Sequence, residues 1–346
     1  MNNRIDYRLK ENRQAGFDAF YRFHCLTNDY SPDISVETWM SNDMGFDYEK
    51  RCVMGLFHGA TYAGPCESMF ADRFPVMTSD VQPVIEFFQE HKSRLLFSPD
   101  CRYRKMVFER FLASVGESLK PYGTLGNFIE SCFTSDDWQV NYVMLKQRCE
   151  REWFHWGRMG HWCFSEALSR FVSAPILPPS MEFKDGKSHR SGWAFCIGRD
   201  DLTDGIVTKS DCRMLEQSAS DYIEGLDYED NVGLFSLETA CCNYKRQHMG
   251  SRYGGCYIDE QYTETMLMKE DWPEYTWLWD KYLEGRQAVI PGSLLFENSG
   301  FVDKAVAYDT SWNKSLKDYG RIPRVEAWSN HEPQKWGAYR EGGVDL

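Results

Sequence analysis

Glu238, Cys242, Lys245, Arg246, Arg252 and Asp259 all fall within residues 236–260, a stretch that combines acid, thiol, base and glycine. Leu237, Ala240, Cys241 and Tyr244 recur at helical spacing, which predicts one buried stripe and places Glu238, Cys242, Lys245 and Arg246 on or beside the polar face. Gly250, Gly254 and Gly255 follow, where a helix would break and backbone could approach a ligand closely. The chemistry such a segment offers is binding of an anionic substrate by Lys245, Arg246 and Arg252, with Glu238 or Asp259 as proton acceptor or donor. An amphipathic helix with a solvated charged face and a glycine cap explains the same pattern, and spacing alone leaves both readings open.

Other blocks carry charge beside aromatic rings. In residues 97–105, Arg102, Arg104 and Lys105 flank Tyr103 just after Asp100, a set suited to phosphate oxygens and a stacked base, or to a solvated helix start capped by Asp100. Arg158 and Glu166 lie among Trp153, Trp156, Trp162 and Phe164, so they must pair or line a cavity. Arg190 sits beside Gly192, where it is either an anion ligand or a solvated turn arginine. Near the N-terminus, Arg51 precedes His58-Gly59-Ala60-Thr61-Tyr62.

The elements that must position these groups read as helices. Apolar residues recur at helical spacing near residues 80–96, 104–119, 138–149, 153–172, 212–225 and 275–285, with little period-2 alternation. A mainly α, multi-helix globular enzyme is expected. Pro175, Pro178 and Pro179 mark residues 173–185 as the best linker. Aromatic residues make up 15% of the chain, which argues against disorder. Twelve cysteines without a C-x-x-C pair are expected to be reduced and mostly buried. No signal peptide or bilayer-spanning run is visible, so no membrane partner is expected. The formal net charge of −13 is unusual for a DNA-binding protein, but Lys and Arg are segregated from acid at residues 102–105 and 245–252. A P-loop, H-E-x-x-H and the zinc-deaminase signature are all absent. No metal ligand set and no cofactor are expected, with magnesium left open.

Taken in order, Arg51 with Gly59-x-Thr61-Tyr62, Asp100 with Arg102 and Lys105, Gly157-Arg158 with Glu166-x-Leu168, Ser188 with Arg190 and Gly192, and Leu237-Glu238-Thr239 through Asp259 resemble the phage amino acid:DNA transferases. These are also called α-glutamyl/putrescinyl thymine pyrophosphorylases, enzymes of thymine hypermodification. The resemblance runs from about Phe17 to Glu264. Cys101, Tyr103, His189 and Ser191 depart from the family pattern.

The resemblance implies a distantly DNA-glycosylase-like helical fold; residues 1–265 are expected to form it, with two lobes divided near the proline-rich stretch at 173–185, and residues 266–346 to form a C-terminal extension packed on it. It implies an enzyme in the host cytoplasm that displaces pyrophosphate from 5-pyrophosphoryloxymethyluracil in DNA with a free amino acid or a polyamine. The residues it puts forward are Glu238, Lys245, Asp259 and Asp100 for catalysis, and Arg51, Tyr62, Arg102, Lys105, Arg158, Arg190 and Arg252 for substrate. Cys242 is a candidate nucleophile. The alternatives are a glycosylase or lyase using Asp100 or Asp259 and a non-enzymatic DNA-binding protein.

Overall fold

In the structure, a computed structural model, residues 10–98, 101–203, 207–226, 233–248, 256–292 and 295 are described. They form fourteen α-helices: α1 (Arg13–Leu26), α2 (Pro32–Asp43), α3 (Tyr48–Thr61), α4 (Gly64–Arg73), α5 (Gln82–His91), α6 (Arg102–Leu119), α7 (Leu125–Glu130), α8 (Trp138–Glu152), α9 (Arg158–Phe171), α10 (Lys187–Cys196), α11 (Lys209–Glu224), α12 (Leu234–His248), α13 (Cys256–Asp271) and α14 (Thr276–Val289). One antiparallel bridge, Thr78 to Thr124, is the sole β-type pairing among the described residues. The chain is mainly α. No described helix is long and apolar enough to cross a membrane.

Two compact units divide the chain. The first contains the described parts of residues 1–32, 180–263 and 290–346, and the second contains residues 33–179 and 264–289. The division after Pro179 falls in the proline-rich stretch. Residues 264–289 group with the second unit, and most of the chain beyond them lies outside the described residues.

The core of the first unit is aromatic. Phe17 meets Trp193 and Tyr244 edge-on at ring-centroid distances of 5.7 and 5.3 Å, and all three rings are buried. Burying a side chain of this size contributes about 1.5–3 kcal/mol over leaving it exposed. In this unit α1 and α10 both pack on α12, and Thr208 and Asp211 close a capping box at the start of α11.

In the second unit α3 packs most extensively on α9. A Cβ on Gly59 would come within 2.6 Å of the Gly160 carbonyl oxygen and 2.7 Å of the Trp156 ring, so the two backbones touch where no side chain fits. Helix α3 starts on Asp47, whose carboxylate accepts the Lys50 N–H at 2.9 Å. It ends at Tyr62, in left-handed backbone with φ 51° and ψ 48°.

Three sequence expectations need correction. The predicted single helix over residues 153–172 begins only at Arg158. Trp153 is extended, its indole N–H donates to the Ser118 hydroxyl at 2.9 Å, and the Phe154 N–H donates to the Ser114 hydroxyl at 2.7 Å. Serines of α6 thereby hold a non-helical connection whose tryptophans are still buried. The helix expected to continue to residue 96 stops at His91. The run from Ser188 to Gly192 is part of helix α10, not a turn.

Candidate active site

Helix α12 orients the groups singled out first. Leu237, Ala240, Cys241 and Tyr244 are fully buried, while Glu238, Cys242 and Lys245 are half-buried. Opposite them lies α10, at very close range, because a Cβ on Gly192 would collide with the Cys241 carbonyl. This contact sets three cross-helix pairs. His189 Nδ1 lies 3.2 Å from Glu238 Oε1, the Cys242 thiol donates to Ser188 Oγ at 3.3 Å, and Lys245 Nζ donates to Ser191 Oγ at 2.5 Å.

The protons on the first pair follow from its partners. His189 Nε2 lies 2.8 Å from the Met181 carbonyl oxygen, which can only accept, so Nε2 carries a hydrogen. A contact between Nδ1 and a carboxylate then needs one more proton, on the ring as an imidazolium or on Glu238 itself. The pair is a proton store at hydrogen-bonding range, and the Glu238 side chain is 16% exposed. On the same helix as His189, Arg190 donates through Nη1 to the Phe183 carbonyl at 3.0 Å, and its buried Nε has no partner.

His189 and Ser191, the two departures from the family pattern in this run, are the residues that contact Glu238 and Lys245. Sequence reasoning did not single out His189, the partner of Glu238. The available signal was that departure, together with its position one residue from Arg190. Asp259, also in the first unit, is 2% exposed on α13, and its carbonyl accepts the Thr263 hydroxyl at 3.0 Å. Arg252 and Asp100 lie outside the described residues, as does the side chain of Arg102 at the first position of α6.

In the second unit the expected substrate cations have varied surroundings. Arg51 donates to the carbonyls of Phe46, Ser41 and Phe171 at 2.9, 3.1 and 3.0 Å and to Asn42 Oδ1 at 2.8 Å. Those contacts tie the end of α2 and the end of α9 to α3. Lys105 donates to the Leu95 carbonyl at 2.8 Å, and burial pulls its pKa below the ordinary lysine value. Arg158 opens α9 with its guanidinium 4.7 Å from the Trp162 ring. The Tyr62 ring meets His58 edge-on at 5.3 Å.

That histidine belongs to a second cluster, which no spacing in the sequence announces because its members come from three helices. His58 Nδ1 lies 2.8 Å from Glu67 Oε2, while Glu67 Oε1 accepts the Ala63 N–H at 2.7 Å and Glu37 Oε1 accepts the Ser68 hydroxyl at 2.6 Å. All three side chains are buried. Burial pulls the His58 pKa down, but the charge and hydrogen bond of Glu67, helped by Glu166 and Asp33, outweigh it and leave the value raised. Burial, then the charges of Glu67 and Asp33, push Glu37 well above the usual carboxyl range. One donor atom from each of Glu37, His58 and Glu67 lies within 4.8 Å of the others, a spacing that can hold a divalent ion. The hydrogen bonds already present satisfy much of the set with protons instead.

Among the described residues eleven cysteines are free thiols and nine of them are buried. No curated protein and no solved structure matches this chain. A family model described as Amino acid:DNA transferase matches residues 64–253, more than half of the sequence. The matched span takes in α4 through α12, including the whole α10–α12 pair, and stops short of Arg51, Tyr62 and Asp259. With the acid, lysine and arginine gathered on that helix pair, the match over residues 64–253 places the chain in the amino acid:DNA transferase family.

Proposed function

We propose that the protein completes a hypermodified thymine in phage DNA by replacing the pyrophosphate of 5-pyrophosphoryloxymethyluracil with an amine, either an amino acid such as glycine or a polyamine such as putrescine. The observation that carries this reading is the half-buried flank of α12, where Glu238 and Lys245 stand two helical turns apart and each is held by a partner on α10. Family membership supplies the transferase class and the DNA and amino acid substrates. Site residues, leaving group and the choice of amine are part of the proposal.

The chemistry needs few groups. The amine arrives as an ammonium and gives a proton to Glu238, which His189 orients. The freed nitrogen forms a bond to the 5-methylene carbon as the carbon–oxygen bond breaks, and pyrophosphate leaves with the bonding electrons. Lys245 and Arg190 meet its growing charge. Arg102, Lys105, Arg158 and Arg252 serve DNA phosphates or the leaving group, and Tyr62 serves the base. Asp100 and Asp259 remain alternative carboxylates, and Arg51 acts by holding the scaffold. A second route runs through Cys242. Its thiolate would add to carbon 6, expel pyrophosphate to leave an exocyclic methylene, and depart after the amine adds. The Cys242 thiol hydrogen-bonded to Ser188 supports a structural role for it instead.

The test is to incubate the protein with pyrophosphorylated DNA and a panel of amines, with and without EDTA, and to analyse the digested nucleosides by mass spectrometry. An aminated thymine and an equal amount of pyrophosphate are expected from DNA and not from the free nucleoside monophosphate. Released base would establish the glycosylase alternative. Binding without covalent change would mean the protein is not an enzyme.

A further inference from the structure

A half-buried cation in the second unit has no charged partner among the described residues. Arg104, in the first turn of α6, lines a cavity of about 320 Å³ together with Cys101, Val107, His155, Met159 and Gly160. Its guanidinium carbon lies 4.6 Å from the Trp156 ring centroid and 5.2 Å from that of Phe111. Those two rings are stacked at 5.3 Å with an interplanar angle of 6°, so the planar guanidinium rests against a rigid aromatic support. Nη1 is buried with no hydrogen-bond partner. Among the described residues no carboxylate acts on the group, and burial holds its pKa below the usual value. A desolvated guanidinium nitrogen without a hydrogen-bond acceptor costs stability, and a ligand anion can supply the acceptor.

The space beside it is kept open by backbone. A Cβ on Gly160 would lie 2.9 Å from Nη2 and 3.3 Å from Nη1 of Arg104, so any larger residue would push into the fork. Apart from Arg104 and His155, the lining is thiol, methionine, valine and glycine. One fixed fork in a mostly apolar cavity suits a ligand with a single planar anionic group and a small apolar remainder. Pyrophosphate, which carries several charges, would leave most of them uncompensated there. A diamine would be repelled.

We propose that Arg104 and the cavity it lines form a binding site for a singly charged carboxylate, the acid group of an amino acid donor. This rests on the transfer reading above and narrows it, because the site favours an amino acid over a polyamine.

Binding to the full-length protein is measured by ligand-observed NMR titration with glycine, putrescine, inorganic pyrophosphate and dimethyl phosphate, without DNA. Glycine should bind the wild type and putrescine should not. Arg104→Met should weaken glycine binding at least tenfold without lowering the melting temperature, because it removes a guanidinium whose buried Nη1 has no partner. Arg104→Lys, which keeps the charge and loses the fork, should fall between, and Gly160→Ala should weaken glycine by crowding the fork. The proposal is overturned if glycine fails to bind, if Arg104→Met binds it as well as the wild type or melts lower, or if pyrophosphate or dimethyl phosphate depends on Arg104 while glycine does not. Assays of DNA modification separate this from the wider reading. Transfer that is indifferent to Arg104 rejects the site alone, whereas Arg104-dependent glycine binding without transfer rejects the reaction alone.

Discussion

Two histidine–carboxylate pairs, one in each unit, have the same elementary chemistry in opposite settings. His58 and Glu67 are at most 1% exposed, 2.8 Å apart, with a third acid beside them. His189 and Glu238 lie 3.2 Å apart with the acid 16% exposed. In the sealed pair the proton is fixed by burial and a carboxylate neighbour; the pair joins α3 to α4, and the Ser68 hydroxyl bonded to Glu37 adds α2. In the open pair the proton can exchange with an arriving group, which is the property a general base needs. Accessibility, more than pairing, separates a structural ion pair from a candidate catalytic one.

The largest effect that would sharpen this contrast is on activity. Glu238→Gln keeps the size of the side chain and removes its charge, so amine transfer should fall by about 10²–10⁴-fold, while DNA binding and melting temperature stay close to wild type. Product formation followed by nucleoside mass spectrometry checks it, and transfer at the wild-type rate would break the assignment. Glu67→Gln should do the reverse. It leaves buried His58 without its counter-charge and should cost about 3–5 kcal/mol of stability, read by denaturant unfolding, with any loss of activity tracking the loss of folded protein.

A third effect is on pH dependence. His58 and Glu37 both have folded-state pKa values above their ordinary values of 6.5 and 4.5. Each therefore adds stability that is complete below the ordinary value and fades as pH rises through the folded one. These two groups make the second unit lose stability as pH rises from mildly acidic to mildly alkaline, against the opposite contribution of His161, whose burial holds its pKa well below 6.5, and Glu37→Gln should make stability fall less with rising pH than in the wild type. Unfolding curves of both proteins across that range provide the measurement. The smallest effect expected is from Cys242→Ser. It preserves a hydroxyl partner for Ser188 and should leave transfer within about threefold of wild type, well below the cost of losing a nucleophile. A folded but inactive variant would bring the thiol route forward.

Much of α12 was legible in the sequence because helical periodicity reports burial directly: Leu237, Ala240, Cys241 and Tyr244 are buried as the spacing predicts. The break between α8 and α9 was not legible. Trp153 and Trp156 continue the apolar pattern and are indeed buried, but a side chain can be buried from extended backbone as easily as from a helix. Helix α10 was expected as a turn because the run from Ser188 to Gly192 resembles a turn of the family, whereas Gly192 is there for close packing. The partners of Glu238 and the His58 cluster were invisible for a different reason. They join residues from separate helices, and no single-chain period encodes such meetings.

The collision that any Cβ at Gly192 would have with the Cys241 carbonyl has a consequence for how this helix pair can change over time. Two backbones in contact set the gap between α10 and α12, so the gap does not depend on which side chains border it. Ser188, His189 and Ser191 can then be exchanged one at a time, as fittings on a fixed chassis, and each exchange changes what holds the thiol, the acid or the lysine opposite while the helix spacing stays the same. A lineage with such a chassis can vary the surroundings of these side chains while keeping the spacing of the helices that carry them.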